Sequence, residues 1–380
     1  MELPKEGLKD GVLDVINRVA SNEPRLGDRR SLGPMMSKPL RASLKAFIQF
    51  IDRILNDPSR FTATWKLACE AVSMLNELLG NEGGAGLITY GGSESNLTSL
   101  FMLREAGYRT LVVSSSAHIS VFKATRVLGM KVQRVRADHS LCIDAYRAAS
   151  IAKRMGDAAV LITAGNTETG CVDDARTLSD LIPGKPIVVD GAFGGVMVPL
   201  LREAGLTNKI ADFSVESVVS LSVDGHKSLL TPIPSGALLL RGGDWVKYVS
   251  FEPRYLSSEE QLGLLWTRTG GSAASLWASL MYFGKEGLRN LYLDLMRKTR
   301  KLYESLLELG FNAVEPELPV LCFWSAKLRA DRLLGELSRR GWYLYRCPSF
   351  GGLRVTVLPH VTHEVINEFL ADLEEVVRKI

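Results

Sequence analysis

The sequence predicts an α/β protein with a large unit built on a mostly parallel sheet and a smaller α/β unit at its C-terminal end. Three observations predict it. From Gly86 onward short β-branched runs alternate with amphipathic helical stretches, the rhythm of a parallel sheet with helices on both faces. After about Gly271 that rhythm gives way to one long helical stretch, Ala273 to about Leu309. From Pro319 a strand, a helix, two strands and a final helix follow in a shorter cycle. These changes divide the chain into an N-terminal helical arm (1–60), a large domain (61–285) and a small domain (286–380).

The arm and the entry to the large domain read as helical. Leu44 to Leu55 places Phe47, Ile48, Ile51 and Leu55 on one stripe, and Trp65 to Leu79 repeats the pattern with Leu67, Ala71, Met74, Leu75 and Leu78. Between Ser21 and Leu40 the Pro, Gly and Ser content predicts an ordered loop. Strands are expected at 87–90, 111–114, 132–135, 159–163, 186–190, 218–223 and 236–241, with helices starting near Ser95, His118, Asp144 and Asp173. In the small domain strands are expected at 319–324, 342–346 and 353–358, with a helix from Asp331 to Arg340. Thr362 caps a last helix that buries Val365, Phe369, Leu373 and Val376.

Composition narrows the class. Of 380 residues, 46% are hydrophobic and 23% charged, the balance of a well-cored globular protein. A net charge of +4 without like-charge blocks gives no nucleic-acid footprint. No apolar run is long enough to span a bilayer, and the opening Met1-Glu-Leu-Pro-Lys-Glu6 has no signal-type core, so a cytoplasmic protein is expected. Cys69, Cys142, Cys171, Cys322 and Cys347 are odd in number and form no C-x-x-C pair, which predicts free, mostly buried thiols in a reducing compartment. No metal-ligand cluster is expected.

In parallel α/β folds ligands sit beyond the carboxyl ends of the strands, so those ends carry the chemistry. Val218 to Val223 runs into Asp224-Gly225-His226-Lys227, which puts a lysine at a strand mouth. Such an amine is placed to form a Schiff base, or is simply a solvated turn lysine. Gly91-Gly92-Ser93-Glu94-Ser95-Asn96 opens a helix with paired glycines, either an anion cradle or a plain strand–helix turn. His118 is structural or stacks on a planar ligand. Asp190 closes an apolar strand, where a carboxylate needs a partner, and Gly191-Ala192 leave room for a flat ring. Gly165-Asn-Thr-Glu-Thr-Gly170 adds polar groups at the same edge. Phosphate cradle, stacking histidine, pyridinium-pairing aspartate and lysine together describe a site for pyridoxal 5′-phosphate, in the chain order of the aspartate-aminotransferase-like fold (fold type I).

The chain resembles the group II pyridoxal-phosphate amino-acid decarboxylases, in particular the archaeal tyrosine/aspartate decarboxylases. The resemblance runs from about Leu32 to the C-terminus. It rests on Gly91 to Asn96, His118-Ile-Ser-Val-Phe-Lys-Ala124, Val189-Asp-Gly-Ala-Phe-Gly-Gly195, Ser222-Val-Asp-Gly-His-Lys227, Pro232 to Arg241, Thr267-Arg-Thr-Gly270 and Leu353 to Thr362. It implies that Lys227 holds the cofactor aldehyde, Asp190 pairs the ring nitrogen, His118 stacks on the ring and Ala192 lies on the other face. Gly92, Ser93, Glu94, Thr167, His226 and, from a partner subunit, Thr269 would complete the cofactor site. Arg354 would take the substrate α-carboxylate. Two stretches depart from the family: Gly165 to Gly170, usually Gly-Thr-Thr-Glu-Leu-Gly, and Ser37-Lys-Pro-Leu-Arg41, usually Thr-Glu-Pro-His-Pro.

The implied reaction is decarboxylation of an L-amino acid in a homodimer, with a general acid, candidate Tyr255, protonating Cα. L-Aspartate is the expected substrate, giving β-alanine, a coenzyme A precursor. Lys38, Arg41 and Arg268 are candidate partners for its side-chain carboxylate. L-Tyrosine (to tyramine) and L-glutamate are alternative substrates. Other readings are a carbon–carbon or carbon–sulfur lyase and a non-catalytic relative.

Overall fold

A computed structural model describes residues 9–256 and 260–379. In chain order the elements are α1 (Val12–Ala20), α2 (Arg41–Gln49), α3 (Thr62–Leu78), β1 (Ala85–Thr89), α4 (Gly92–Glu105), β2 (Thr110–Ser114), α5 (Ile119–Leu128), β3 (Lys131–Val135), α6 (Ala145–Lys153) and β4 (Ala158–Thr163). They continue with α7 (Ala175–Leu181), β5 (Ile187–Asp190), α8 (Met197–Glu203), β6 (Val218–Asp224), α9 (Gly225–Ser228), β7 (Gly236–Leu240), β8 (Ser250–Phe251) and β9 (Gln261–Leu262). The last are α10 (Gly270–Glu308), β10 (Asn312–Ala313), β11 (Val320–Trp324), α11 (Ala330–Arg339), β12 (Tyr345–Cys347), β13 (Gly352–Thr356) and α12 (His363–Lys379).

The seven-stranded sheet runs β1-β7-β6-β5-β4-β2-β3. Strands β6, β5, β4, β2 and β3 are parallel, while β7 runs antiparallel to both of its neighbours. This is the fold class that the strand–helix rhythm predicts. Strands β2, β4, β5, β6 and β7 are buried throughout, as expected for a sheet covered on both faces. The second sheet, β10-β11-β13-β12, is antiparallel and packs with α11 and α12. On α12 the residues Val365, Phe369, Leu373 and Val376 are buried, and Thr362 Oγ accepts from the Val365 N–H at 3.3 Å. Helix α10 is interrupted at Gly284, whose φ of 58° is left-handed backbone that glycine tolerates.

Two expectations need correction. The helix expected to reach Leu55 stops at Gln49, because tertiary bonds take over its backbone. Leu55 N–H donates to Arg268 O at 2.9 Å, and Gly270 N–H donates to Arg53 O at 2.7 Å. Ile48 and Ile51 therefore lie exposed, while Leu55 is buried. The cysteines also differ: Cys142–Cys171 and Cys322–Cys347 are disulfides, and only Cys69 is free. Partners 29 and 25 residues apart leave no local spacing signature. The fold makes the pairs by bringing the segment before α6 beside the loop after β4, and β11 beside the end of β12.

Candidate active site

The parallel strands end at one edge, and a cavity of about 180 Å³ opens there. Lys227, Asp190, His118, Ala192, Gly92, Ser93, Thr167 and His226 all line it. The strand-end reading therefore converges in space, from β1, β2, β4, β5 and β6 together.

The cradle forms because β1 turns into α4 through Gly91, whose φ is 127°. A Cβ there would lie 2.8 Å from His226 Cε1, so only glycine lets this backbone pass. At Gly92 a Cβ would sit 2.9 Å from the Ala192 Cβ. The first-turn N–H groups of the 14-residue α4 and the Ser93 hydroxyl face an opening suited to a phosphate. Glu94 belongs elsewhere: its Oε2 accepts from the Tyr90 N–H at 2.6 Å, and it does not line the cavity. Burial raises its pKa, opposed by the Tyr90 hydrogen bond and nearby Arg268. It shapes the cradle from beneath.

Asp190 is 5% exposed at the end of β5. Its Oδ2 accepts from Asn96 Nδ2 at 2.8 Å, and its Oδ1 accepts from Ala192 N–H at 3.2 Å and the Ser222 hydroxyl at 3.4 Å. All three donors are neutral, so they hold a carboxylate in place without cancelling its charge. A protonated ring nitrogen would supply the missing counter-charge. At the end of β6 the Lys227 ammonium lies 2.9 Å from Asp224 Oδ2, with the His226 Nε2 at 3.5 Å. Asp224 Oδ1 is buried without a hydrogen-bond partner. His226 Nδ1 donates to Ser235 O at 2.8 Å, which turns the ring toward Gly91, and burial lowers its pKa.

His118 caps α5, accepting at Nδ1 from the Ser120 N–H at 3.3 Å. One side of the residue is open, and partial burial lowers its pKa against the opposing pull of Asp190. Arg354 comes from β13, outside the cavity wall. It donates to Thr167 O at 2.7 Å and to Gly33 O at 2.8 Å, and its guanidinium lies over the Tyr345 ring.

Besides Glu94 and Arg354, three more expected residues stand outside the cavity of this chain. Arg268 is buried under β1, donating to Ile88 O at 2.5 Å and Leu262 O at 2.7 Å, and it lines a separate cavity of about 590 Å³. Thr269 caps α10 and donates to Ile51 O at 2.8 Å. Tyr255 is 75% exposed and packs on Trp266. Sequence reasoning missed Asn96, Ser120, Ser222 and Asp224 as working parts of the site. Asn96 and Asp224 lie inside the quoted motifs, but their partners are distant in the chain or, for Asp224, only a helical turn away. Met35 also lines the cavity, brought there by the 31–40 loop, in which Ser37 N–H donates to His226 O at 3.3 Å.

Residues 62–326 match the pyridoxal-dependent decarboxylase conserved domain. The chain belongs to the pyridoxal-dependent decarboxylase family. It is 35% identical over 355 residues to a probable L-tyrosine/L-aspartate decarboxylase of Methanothermobacter thermautotrophicus, covering 91% of this chain and 96% of the relative. It is 33% identical over 360 residues to an L-aspartate decarboxylase of Thermococcus kodakarensis, covering 92% of each. The fold superposes on a sphingosine-1-phosphate lyase of Burkholderia pseudomallei with a TM-score of 0.89 and 22% identity, over 100% of this chain and 92% of that one. A Lactobacillus brevis glutamate decarboxylase gives a TM-score of 0.86 at 20% identity, over 100% and 94%. The α/β architecture is thus fold type I, and the enzyme is a pyridoxal-phosphate-dependent decarboxylase acting on an amino acid.

The residues present fit the cofactor. Gly91 and Gly92 keep the cradle free of side chains, Asp190 is a buried carboxylate with only neutral partners, and Lys227 is the strand-end amine lining the same cavity. When bound, pyridoxal 5′-phosphate supplies the sink for the electron pair left as the bond from Cα to its carboxylate breaks. Asp190 would keep a positive charge favourable at the ring nitrogen and His118 would supply a flat face, while Asp224 holds the Lys227 ammonium at 2.9 Å. Among the described residues no helix is long and apolar enough to cross a membrane.

Proposed function

We propose that the protein decarboxylates L-aspartate to β-alanine and CO₂, supplying a coenzyme A precursor, as a cytoplasmic homodimer. The observation that carries the substrate is the word shared by the two relatives above: aspartate stands in both names. Tyrosine stands in one, and is the second reading. We assign the α-carboxylate to Arg354, whose Nε has no hydrogen-bond partner and whose grip on Gly33 and Thr167 borders the cavity. Lys38 is exposed one residue beyond Ser37, and we assign it the side-chain carboxylate. Arg268 lines the separate cavity under β1 and takes no part in that role. A charge-assisted contact is worth about 1.5 to 3 kcal/mol, or roughly tenfold to a hundredfold in preference.

A second copy would bring Thr269 to the phosphate, and exposed Ile48, Ile51, Trp65 and Leu265 supply apolar surface for association. Cytoplasmic placement rests on amino-acid chemistry. The test is kcat/KM of the cofactor-loaded enzyme for aspartate, tyrosine and glutamate, read as amine and CO₂. A higher value for tyrosine would overturn aspartate and leave the decarboxylase standing. Light scattering of the same preparation gives the assembly, and a monomeric mass would remove the dimer.

A further inference from the structure

Asn96 lies in the second turn of α4, 1% exposed, and its side chain joins two parts of the site that no backbone connects. Its Nδ2 is 2.8 Å from Asp190 Oδ2 and 3.0 Å from Ser120 Oγ. An ionised carboxylate only accepts, so the amide nitrogen must be the atom facing Asp190. Both Nδ2 hydrogens are thereby spent, one on the carboxylate and one on the serine. Ser120 Oγ, already accepting, keeps one hydrogen and lies 2.8 Å from His118 Nδ1. The Ser120 backbone N–H points at the same nitrogen from 3.3 Å. Two donors converge on Nδ1, which therefore carries no proton. A neutral imidazole with one bare nitrogen carries its hydrogen on the other, Nε2.

We propose that Asn96 is a positioning residue that, through Ser120, holds His118 neutral with its hydrogen on Nε2 while fixing Asp190 for the ring nitrogen. The chain Asp190–Asn96–Ser120–His118 thus lets one amide set the hydrogen-bonding state of two groups that meet the cofactor. The charged groups facing His118 are Asp190, Asp224, Lys227 and, on its own helix, Lys123. The carboxylates favour a protonated ring and the ammoniums oppose it, and partial burial acts with the ammoniums. Loss of the Asn96 hydrogen frees the Ser120 hydroxyl to rotate and accept from Nδ1. The cationic ring then gains a partner that it lacks in the native site.

The inference rests on the placement of Asp190 and His118 against the cofactor, but its test reads histidine protonation in the apoprotein. It can therefore fail while the decarboxylase reading and the aspartate assignment stand. The measurement is ¹⁵N NMR of full-length protein labelled at histidine, with His118 assigned by its loss in His118→Gln. In the native protein Nδ1 is expected bare and Nε2 protonated at neutral pH. Asn96→Leu is expected to let the second tautomer appear and to raise proton affinity at His118 about tenfold; Ser120→Ala, which loses one donor but keeps the Ser120 N–H on Nδ1, should raise it by less. The double variant should match Ser120→Ala alone, because Asn96 reaches His118 only through that hydroxyl. A protonated Nδ1 in the native neutral ring overturns the proposal. So does Ser120→Ala leaving tautomer and titration unchanged, a result that needs no folded Asn96→Leu protein.

Discussion

The ends of β5 and β6 lie side by side, and each closes on a buried aspartate, but the two carboxylates are treated in opposite ways. Asp190 receives only neutral donors, from Asn96, Ala192 and Ser222. Asp224 is paired with a cation, Lys227 at 2.9 Å, and has the His226 ring beside it. A buried charge without a counter-charge is costly, and the cost is recovered only when a cation arrives. We read Asp190 as awaiting a partner that is not protein, and Asp224 as served by one that is. Two aspartates that look alike in sequence differ in what stands opposite each.

The largest expected effect breaks the pair at its cation. Lys227→Ala should lower turnover by four powers of ten or more, at least about 5.5 kcal/mol of barrier at roughly 1.4 kcal/mol per tenfold. In the native enzyme, borohydride reduction followed by peptide mapping should fix the cofactor on Lys227, and an adduct on another lysine would remove this residue from the centre. Next comes Asp190→Asn, which should keep the cofactor but lose about a thousandfold in turnover, roughly 4 kcal/mol. Near-native turnover in that variant would make the carboxylate merely structural.

Asp224→Asn should cost less, about tenfold, since it removes a charge-assisted contact worth about 1.5 to 3 kcal/mol while leaving the ring nitrogen served. If its loss equalled that of Asp190→Asn, the division of labour between the two strand ends would collapse. The smallest effect sharpens the comparison through pH. Partial burial holds the His118 pKa below its ordinary 6.5, and Asp224 pulls it upward. With His118 working neutral, kcat/KM falls as pH drops through that lowered value. Removing the negative charge at 224 lowers it further, so the acid limb should move to lower pH in Asp224→Asn. A limb that moved upward would assign it to another group.

The parallel sheet was legible because alternation of β-branched runs with amphipathic stretches is a local signal, and strands β2 to β6 fall within a residue or two of expectation. The place of Lys227, Asp190 and His118 at one cavity was legible for the same reason, each closing or following a strand. Asn96 was not, because its meaning depends on Asp190, 94 residues away. Tyr255 and Arg268 sit in segments of irregular backbone, where motif position says nothing of direction. The end of α2 was decided by Arg268 and Arg53 carbonyls, which no helical periodicity encodes. The cysteine pairs were hidden likewise, by separations that only the folded chain closes.

Those pairs have one more consequence. Cys171 follows directly on the loop that carries Gly165 and Thr167 to the cavity, and Cys347 Sγ lies 3.3 Å from Glu168 Oε2 of the same loop. Each crosslink closes a ring of chain whose ends are 29 or 25 residues apart, and so removes conformations from the denatured ensemble. In the chain-entropy account each is worth about 3 to 4 kcal/mol. That contribution acts through the unfolded chain and adds to the contacts this loop makes when folded, among them Arg354 on Thr167 O.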